Sequence, residues 1–168
     1  MYRTIILALC MWMVTFGANA QKVGYFNSQL ILEAMPEVKQ ANSDLEVMKN
    51  MFKKKGEDMI KTLQMKYQEF QQQQANGVLS PIDLDKKAKE LKEEEGKIME
   101  FDKSSQQTIF NKSEELLKPI HDRVNQAISD IAKEKGYLYI FESGSGTILY
   151  ADPSTDVSQL IKDKLGIK

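Results

Sequence analysis

The sequence predicts an α+β chain that is predominantly helical, with a small β-containing body carrying a long antiparallel helical hairpin. Three observations predict it. From Asp44 to Lys118 the chain is rich in Lys, Glu and Gln, and its apolar residues run in single file at helical spacing. Short apolar runs dense in strand-forming residues, Val23–Phe26 and Tyr137–Phe141, flank that stretch on either side. Asn76-Gly77 and Ser80-Pro81 interrupt it near the middle, leaving too little chain for anything but a tight reversal.

Taken in order, the first twenty residues carry Arg3, an apolar run from Ile5 to Phe16, and then Ala18-Asn19-Ala20, with small residues at the positions a signal peptidase reads. The run is well short of the ~20 apolar residues that cross a bilayer, so residues 1–20 are expected to be a signal peptide cleaved after Ala20. Cys10, the single cysteine, would leave with it, and the mature chain would have no disulfide, thiol nucleophile or thiolate metal site. Without Arg3 the chain holds 22 basic against 24 acidic residues, a balance with no large field of one sign and no call for nucleic acid.

Val23-Gly24-Tyr25-Phe26 reads as a strand, after which Asn27 or Ser28 caps a short helix carrying Leu30, Ile31 and Ala34. Pro36 fits the first position of a new helix, where its missing N–H costs nothing, and that helix is expected to reach about Ala75. Val38, Ala41, Leu45, Met48, Phe52, Gly56, Met59, Leu63, Tyr67 and Phe70 form its stripe, in steps of three and four that keep them on one side of a nearly straight helix. Thirty or so such residues extend ~45–50 Å, which is an arm rather than a core helix.

Ser80-Pro81-Ile82-Asp83 opens the return helix with a cap, a first-position proline and an acid three residues after the cap. Its stripe is Leu84, Ala88, Leu91, Ile98, Ile109, Leu116, Ile120, Val124, Ala127 and Ile131, interrupted by Glu95 and Ser105. Gly136 closes it. Tyr137–Phe141 then reads as a strand, Ser143-Gly144-Ser145-Gly146 as a turn, and Thr147–Tyr150 as the second strand of a hairpin. A final helix is expected after Asp152-Pro153, capped by Ser154 or Thr155, with Val157, Leu160, Ile161 and Leu165 on its apolar face. The organisation predicted is a body of residues 21–44 and 118–168 and an arm of residues 45–117.

A body that small is marginal by surface-to-volume scaling, and Tyr137–Phe141 offers apolar side chains to both faces. Self-association would cover the second face and close the strand edges. Val23, Tyr25, Tyr137, Leu138, Tyr139, Ile140, Phe141 and Ile148 are the candidates for that contact.

Lys22-Val23-Gly24-Tyr25-Phe26-Asn27-Ser28, Gly136-Tyr137-Leu138-Tyr139-Ile140-Phe141 and the closing segment Ile148–Val157, in this order of elements, resemble the OmpH/Skp family over the whole mature chain. The resemblance implies a homotrimer whose strands form a central β-barrel body on trimerisation, with three helical hairpins around a cavity. It also implies an ATP-independent periplasmic holdase whose partners are unfolded outer-membrane β-barrel proteins, with transient contact to a membrane surface as a further prospect. The chain is slightly acidic where the best-known member is strongly basic, and no lipopolysaccharide site is assigned. The rival reading is a coiled-coil structural or adaptor protein of the cell envelope, which would have one folded partner.

Methionine is flexible and polarizable, so a surface made of it can repack around varied apolar partners. Met51, Met65, Met99, Phe101 and Phe110 lie beside the stripes and are the first candidates for touching client, whereas Met48, Phe52, Met59 and Phe70 lie on the stripe and are expected chiefly to fill the seam. Gly56, Gly96 and Pro119 weaken their helices and are candidate hinges. Lys53-Lys54-Lys55 fan around a helix axis and face no common target. His121, the only histidine, has no second imidazole or thiol to complete a metal site. No nucleotide-binding motif, catalytic constellation or cofactor site stands out, and the reading is of a protein that is not an enzyme.

Overall fold

The computed structural model describes residues 21–167. The elements run β1 (Val23–Phe26), α1 (Ser28–Ala34), α2 (Pro36–Ala75), α3 (Pro81–Lys135), β2 (Tyr139–Glu142), a 3-10 turn (Pro153–Thr155) and α4 (Ser158–Leu165). Contacts divide the chain into two units, a body built from the two ends of the chain and an arm of Pro36–His121.

The arm is the hairpin the repeat pattern predicts. α2 starts at Pro36 and ends at Ala75, and Gly77 supplies the left-handed turn residue with a φ of 64°. Ser80 caps α3 by accepting from the Asp83 N–H at 3.2 Å while its hydroxyl meets the Asp83 carboxylate at 2.6 Å. Cross-seam pairs fix the antiparallel register: Gln73 with Lys87, Lys66 with Glu94, Tyr67 with Glu95 at 3.0 Å, and Phe52 with Phe101. On α2 the ten stripe positions from Val38 to Phe70 are the ones withdrawn from solvent, apart from Gln73 near the tip. Val38, Ala41 and Leu45 are buried and the rest half-buried, as a two-helix arm with no third layer must leave them.

The α3 seam differs from the predicted stripe. Ala88 is exposed and the stem of Lys87 covers the seam in its place. Ser105 does not interrupt the seam; it is buried in it, 6% exposed, and Phe101 points inward beside it rather than lying off to one side. The correction follows from the helical step, since 98, 101, 105 and 109 keep one face in contact where a jump from Ile98 to Ile109 would leave two turns unpacked.

The body holds a two-stranded parallel sheet in the register Val23↔Tyr139, Gly24↔Ile140, Tyr25↔Phe141 and Phe26↔Glu142. Asn27 caps α1, its side chain accepting from the Leu30 N–H at 3.2 Å. Ile31, Met35, Val157 and Ile161 are its fully buried side chains. Tyr25 extends the sheet by an isolated parallel bridge to Asp156, with the Val157 N–H donating to the Tyr25 carbonyl at 2.8 Å. Gly24 sits in close quarters, since a Cβ there would lie 3.0 Å from the Val157 side chain and 3.1 Å from the Tyr137 ring and would have to press them aside.

Three expectations for the body are corrected. Tyr137 and Leu138 precede β2 rather than forming it, and residues 147–150 are not a strand, so the predicted hairpin is absent among the described residues. The cause is Glu142. Its carboxylate accepts from Gly144 N at 2.7 Å, Ser145 N at 2.8 Å, Ser28 N at 3.1 Å and the Ser28 hydroxyl at 3.0 Å, which folds the turn onto the start of α1 instead of back along β2. These bonds, that of the Ser28 N–H foremost, hold the Glu142 carboxyl down at about 2. The last helix is also capped differently. Asp152 caps the 3-10 turn by accepting from Ser154 N at 2.9 Å, Asp156 accepts from Ser158 N at 2.8 Å ahead of α4, and neither Ser154 nor Thr155 serves as its cap.

Candidate functional site

In the arm, the candidate site is a groove of about 550 Å³ along one flank of the seam. Phe52, Gly56, Ile98, Phe101, Ser105 and Ile109 line it, and Ile60, Met99, Lys49, Lys53, Glu57, Asp102 and Gln106 complete its walls. Phe52 and Phe101 meet edge to face, ring centroids 6.0 Å apart at 72°. Gly56 lies beside that ring, and a Cβ there would meet the Phe101 edge at an ordinary contact distance of 3.8 Å. Lys55 lies 5.0 Å from the Phe101 centroid and Lys53 pairs with Glu57 at 3.9 Å, so the three successive lysines do part company as expected.

The groove takes in Phe52, Phe101 and Met99 of the predicted client-contact residues. Met99 and Phe110 are eleven residues apart, within about 20° of each other around α3, so Phe110 continues the same exposed line. Both are exposed. Met51 and Met65 are exposed too, but their helical phase places them on the opposite flank of α2 from Ile60. Met48, Met59 and Phe70 are half-buried in the seam region, as expected for stripe residues. Ile60 is the apolar groove residue that neither the stripes nor the client candidates include, and a helical projection shows it a quarter-turn off the α2 stripe; Ser105 enters the sequence pattern only as an interruption, and the polar wall residues Lys49, Glu57, Asp102 and Gln106 carry no signal in it.

Ser105 is chemically unusual in its setting. A buried helical serine ordinarily bonds back to the carbonyl four residues earlier. That carbonyl, of Phe101, accepts from Ser104 at 3.0 Å, and the Ser105 hydroxyl has no partner. Tyr67 and Glu95 form a polar crossing nearer the tip, where the hydrogen bond to Glu95 raises the Tyr67 pKa.

The body carries the other candidate surface. Tyr139 and Phe141 stack at 6.0 Å on the outer face of β2, with Val23 of β1 opposite Tyr139 in the register. Leu138 is also exposed, Tyr25, Tyr137, Ile140 and Ile148 are half-buried, and Leu149 and Tyr150 stand 98% and 84% exposed. Those last two were not among the predicted contact residues. β2 pairs with β1 alone among the described residues, which leaves one strand edge open. No group of metal-ligating side chains occurs among the described residues, and His121 is exposed. No described helix is long and apolar enough to cross a membrane.

A family model described as outer membrane protein (OmpH-like) matches residues 22–165. The chain belongs to the OmpH-like family. Its fold is also similar to the crystal structure of a protein proposed as an OmpH-like outer membrane chaperone from Caulobacter crescentus CB15, with a TM-score of 0.71 and 12% identity over 90% of this chain and 87% of that one. At that identity the likeness is one of fold. No curated protein sequence matches the chain. The family match spans the strands and the arm alike, so the hairpin and the two-stranded body are parts of one OmpH-like architecture.

Proposed function

We propose that this OmpH-like chain is a periplasmic holdase that shields unfolded outer-membrane β-barrel proteins from aggregation without nucleotide, after removal of its first twenty residues. The observation that carries the reading is the flank of the arm: a groove with aromatic walls, continued by exposed Ile60, Met99 and Phe110, on a hairpin too thin to cover those residues itself. An unfolded barrel strand alternates apolar and polar side chains, and several shallow apolar contacts hold such a chain better than one closed pocket. Met99 adapts to whichever side chain arrives. Charged residues elsewhere on the arm keep the loaded complex in solution.

The body supplies multiplicity. Its exposed aromatic face and open β2 edge fit self-association, and a homotrimer closing a β-barrel would bring three arms around one client. Linked arms raise the effective concentration of each weak contact, which provides affinity without a specific sequence. Gly56, Gly96 and Pro119 are the positions at which the arm would bend to accept clients of different size.

The test is a dilution assay. Denatured outer-membrane barrel protein is diluted into buffer with and without the mature chain, in the absence of ATP, and turbidity is followed. Protection at stoichiometric ratio is expected, and it should weaken several-fold in the Met99→Ser, Phe110→Ser double variant. No protection at excess would refute the reading and favour a structural spacer with one folded partner.

A further inference from the structure

We propose that the mature N-terminus is a lactam: once the leader is removed after Ala20, Gln21 cyclises to pyroglutamate. The inference rests on the export reading above and adds a covalent modification of the first residue. A glutamine with a free α-amine carries nucleophile and electrophile in one residue, and closure of a five-membered ring needs no second molecule. The amine nitrogen attacks the side-chain Cδ. A C–N bond forms, the Cδ–Nε2 bond breaks, and ammonia departs with the proton the amine gives up. Nothing is oxidised or reduced. An α-amino group titrates near about 7.7–8, so an appreciable share is unprotonated and nucleophilic at neutral pH.

The fold leaves that residue free to react and pins the next one. The Lys22 carbonyl accepts from Leu138 N at 2.9 Å, and its ammonium donates to the Lys135 carbonyl at 3.1 Å and lies 4.2 Å from the Tyr137 ring centroid. Anchoring of β1 therefore begins at residue 22, and Gln21 stands exposed just outside it. The lactam N–H and C=O would remain in water, so closure costs no buried hydrogen bond. Losing the terminal charge is tolerated electrostatically as well. The carbonyl end of α3 favours cations, and Lys22, Lys133 and Lys135 already supply them. The consequence is a terminus with no ammonium for an aminopeptidase to grip, directly ahead of the strand that holds the body together.

The full chain, leader included, would be produced in a Gram-negative host, recovered from the periplasm, and incubated with and without added glutaminyl cyclase. Intact mass and the first Edman cycle are the readouts. The expected product has the mass of residues 21–168 less one ammonia and is blocked to Edman chemistry. Gln21→Ser, which lacks the carboxamide, should give the full mass and an open terminus. A species of residues 21–168 that keeps its ammonia after cyclase treatment would overturn the proposal while leaving export intact. A chain that starts at any other residue would overturn the proposal and the cleavage position while leaving export intact, and one that retains its leader would overturn both.

Discussion

If the body self-associates as proposed, replacing Tyr139 and Phe141 together by serine is expected to leave single chains. In one chain these side chains are 59% and 50% exposed, though they lie on a sheet of only two parallel strands, an arrangement that ordinarily has both faces covered. A large aromatic buries ~150–250 Å², so about 100 Å² of each ring waits for cover. At ~25 cal/mol per Å² that is about 2.5 kcal/mol for each ring. Losing both would weaken each contact between copies by about three to four orders of magnitude, since ~1.4 kcal/mol is tenfold. Sedimentation velocity at micromolar concentration reads the mass, and circular dichroism checks that the helices survive, because neither ring belongs to the buried set of Ile31, Met35, Val157 and Ile161. Met65→Ser, on the arm, is the control that should leave the mass unchanged. A wild-type chain sedimenting as a monomer, or a double variant keeping the wild-type mass, would refute the argument.

Ser105→Ala should stabilise the arm, because it removes a buried hydroxyl without a partner and improves helix propensity; a gain of about 1–2 kcal/mol in urea unfolding is expected, and a loss would show that the hydroxyl is satisfied. Glu142→Gln should flatten the acid limb of the stability curve. With its carboxyl depressed from 4.5 to about 2, Glu142 contributes stability fully above pH ~4.5 that fades as pH falls towards 2, so the variant should melt lower than wild type at pH 7 and match it near pH 2. Gly96→Ala should raise stability by about 0.5–1 kcal/mol, since nothing lies within 4 Å of an added Cβ; if the glycines also let the arm bend, small-angle scattering of the Gly56→Ala, Gly96→Ala variant will show a narrower spread.

Where local chemistry decided the outcome, the sequence was legible. Pro36, Gly77, Ser80 and Gly136 mark the ends of the two long helices, and the α2 stripe predicted burial position by position because an isolated pair of helices has a single seam. Partners distant in the chain decided the failures. Thr147–Tyr150 carries a strand-like pattern, yet the turn before it is captured by Glu142, which also binds Ser28 at a separation of 114 residues. The sequence pattern sets Phe101 beside the seam and has Ser105 interrupt it, whereas a single polar residue does not rotate a helix out of register. The candidate groove was half visible: Met99 and Phe110 stand out from the α3 stripe by type, but their convergence with Ile60 depends on the cross-helix register that Phe52 and Phe101 fix.

A hairpin of two helices can cover only the sector of each helix that faces the other. Any apolar side chain set a quarter-turn or more from the seam is therefore left in water, and it adds nothing to the pairing of α2 with α3. Ile60, Met99 and Phe110 occupy that sector on the groove side, while Met51 and Met65 occupy it on the other. A spacer would gain from filling such positions with charge, as most of the arm does. Their persistence as large apolar residues costs solubility in the free chain, and that cost is offset only when something apolar arrives to cover them. Seam and flank thus divide the arm's apolar residues into those that make the hairpin and those left in water, and the second set is where the proposed holdase would meet its client.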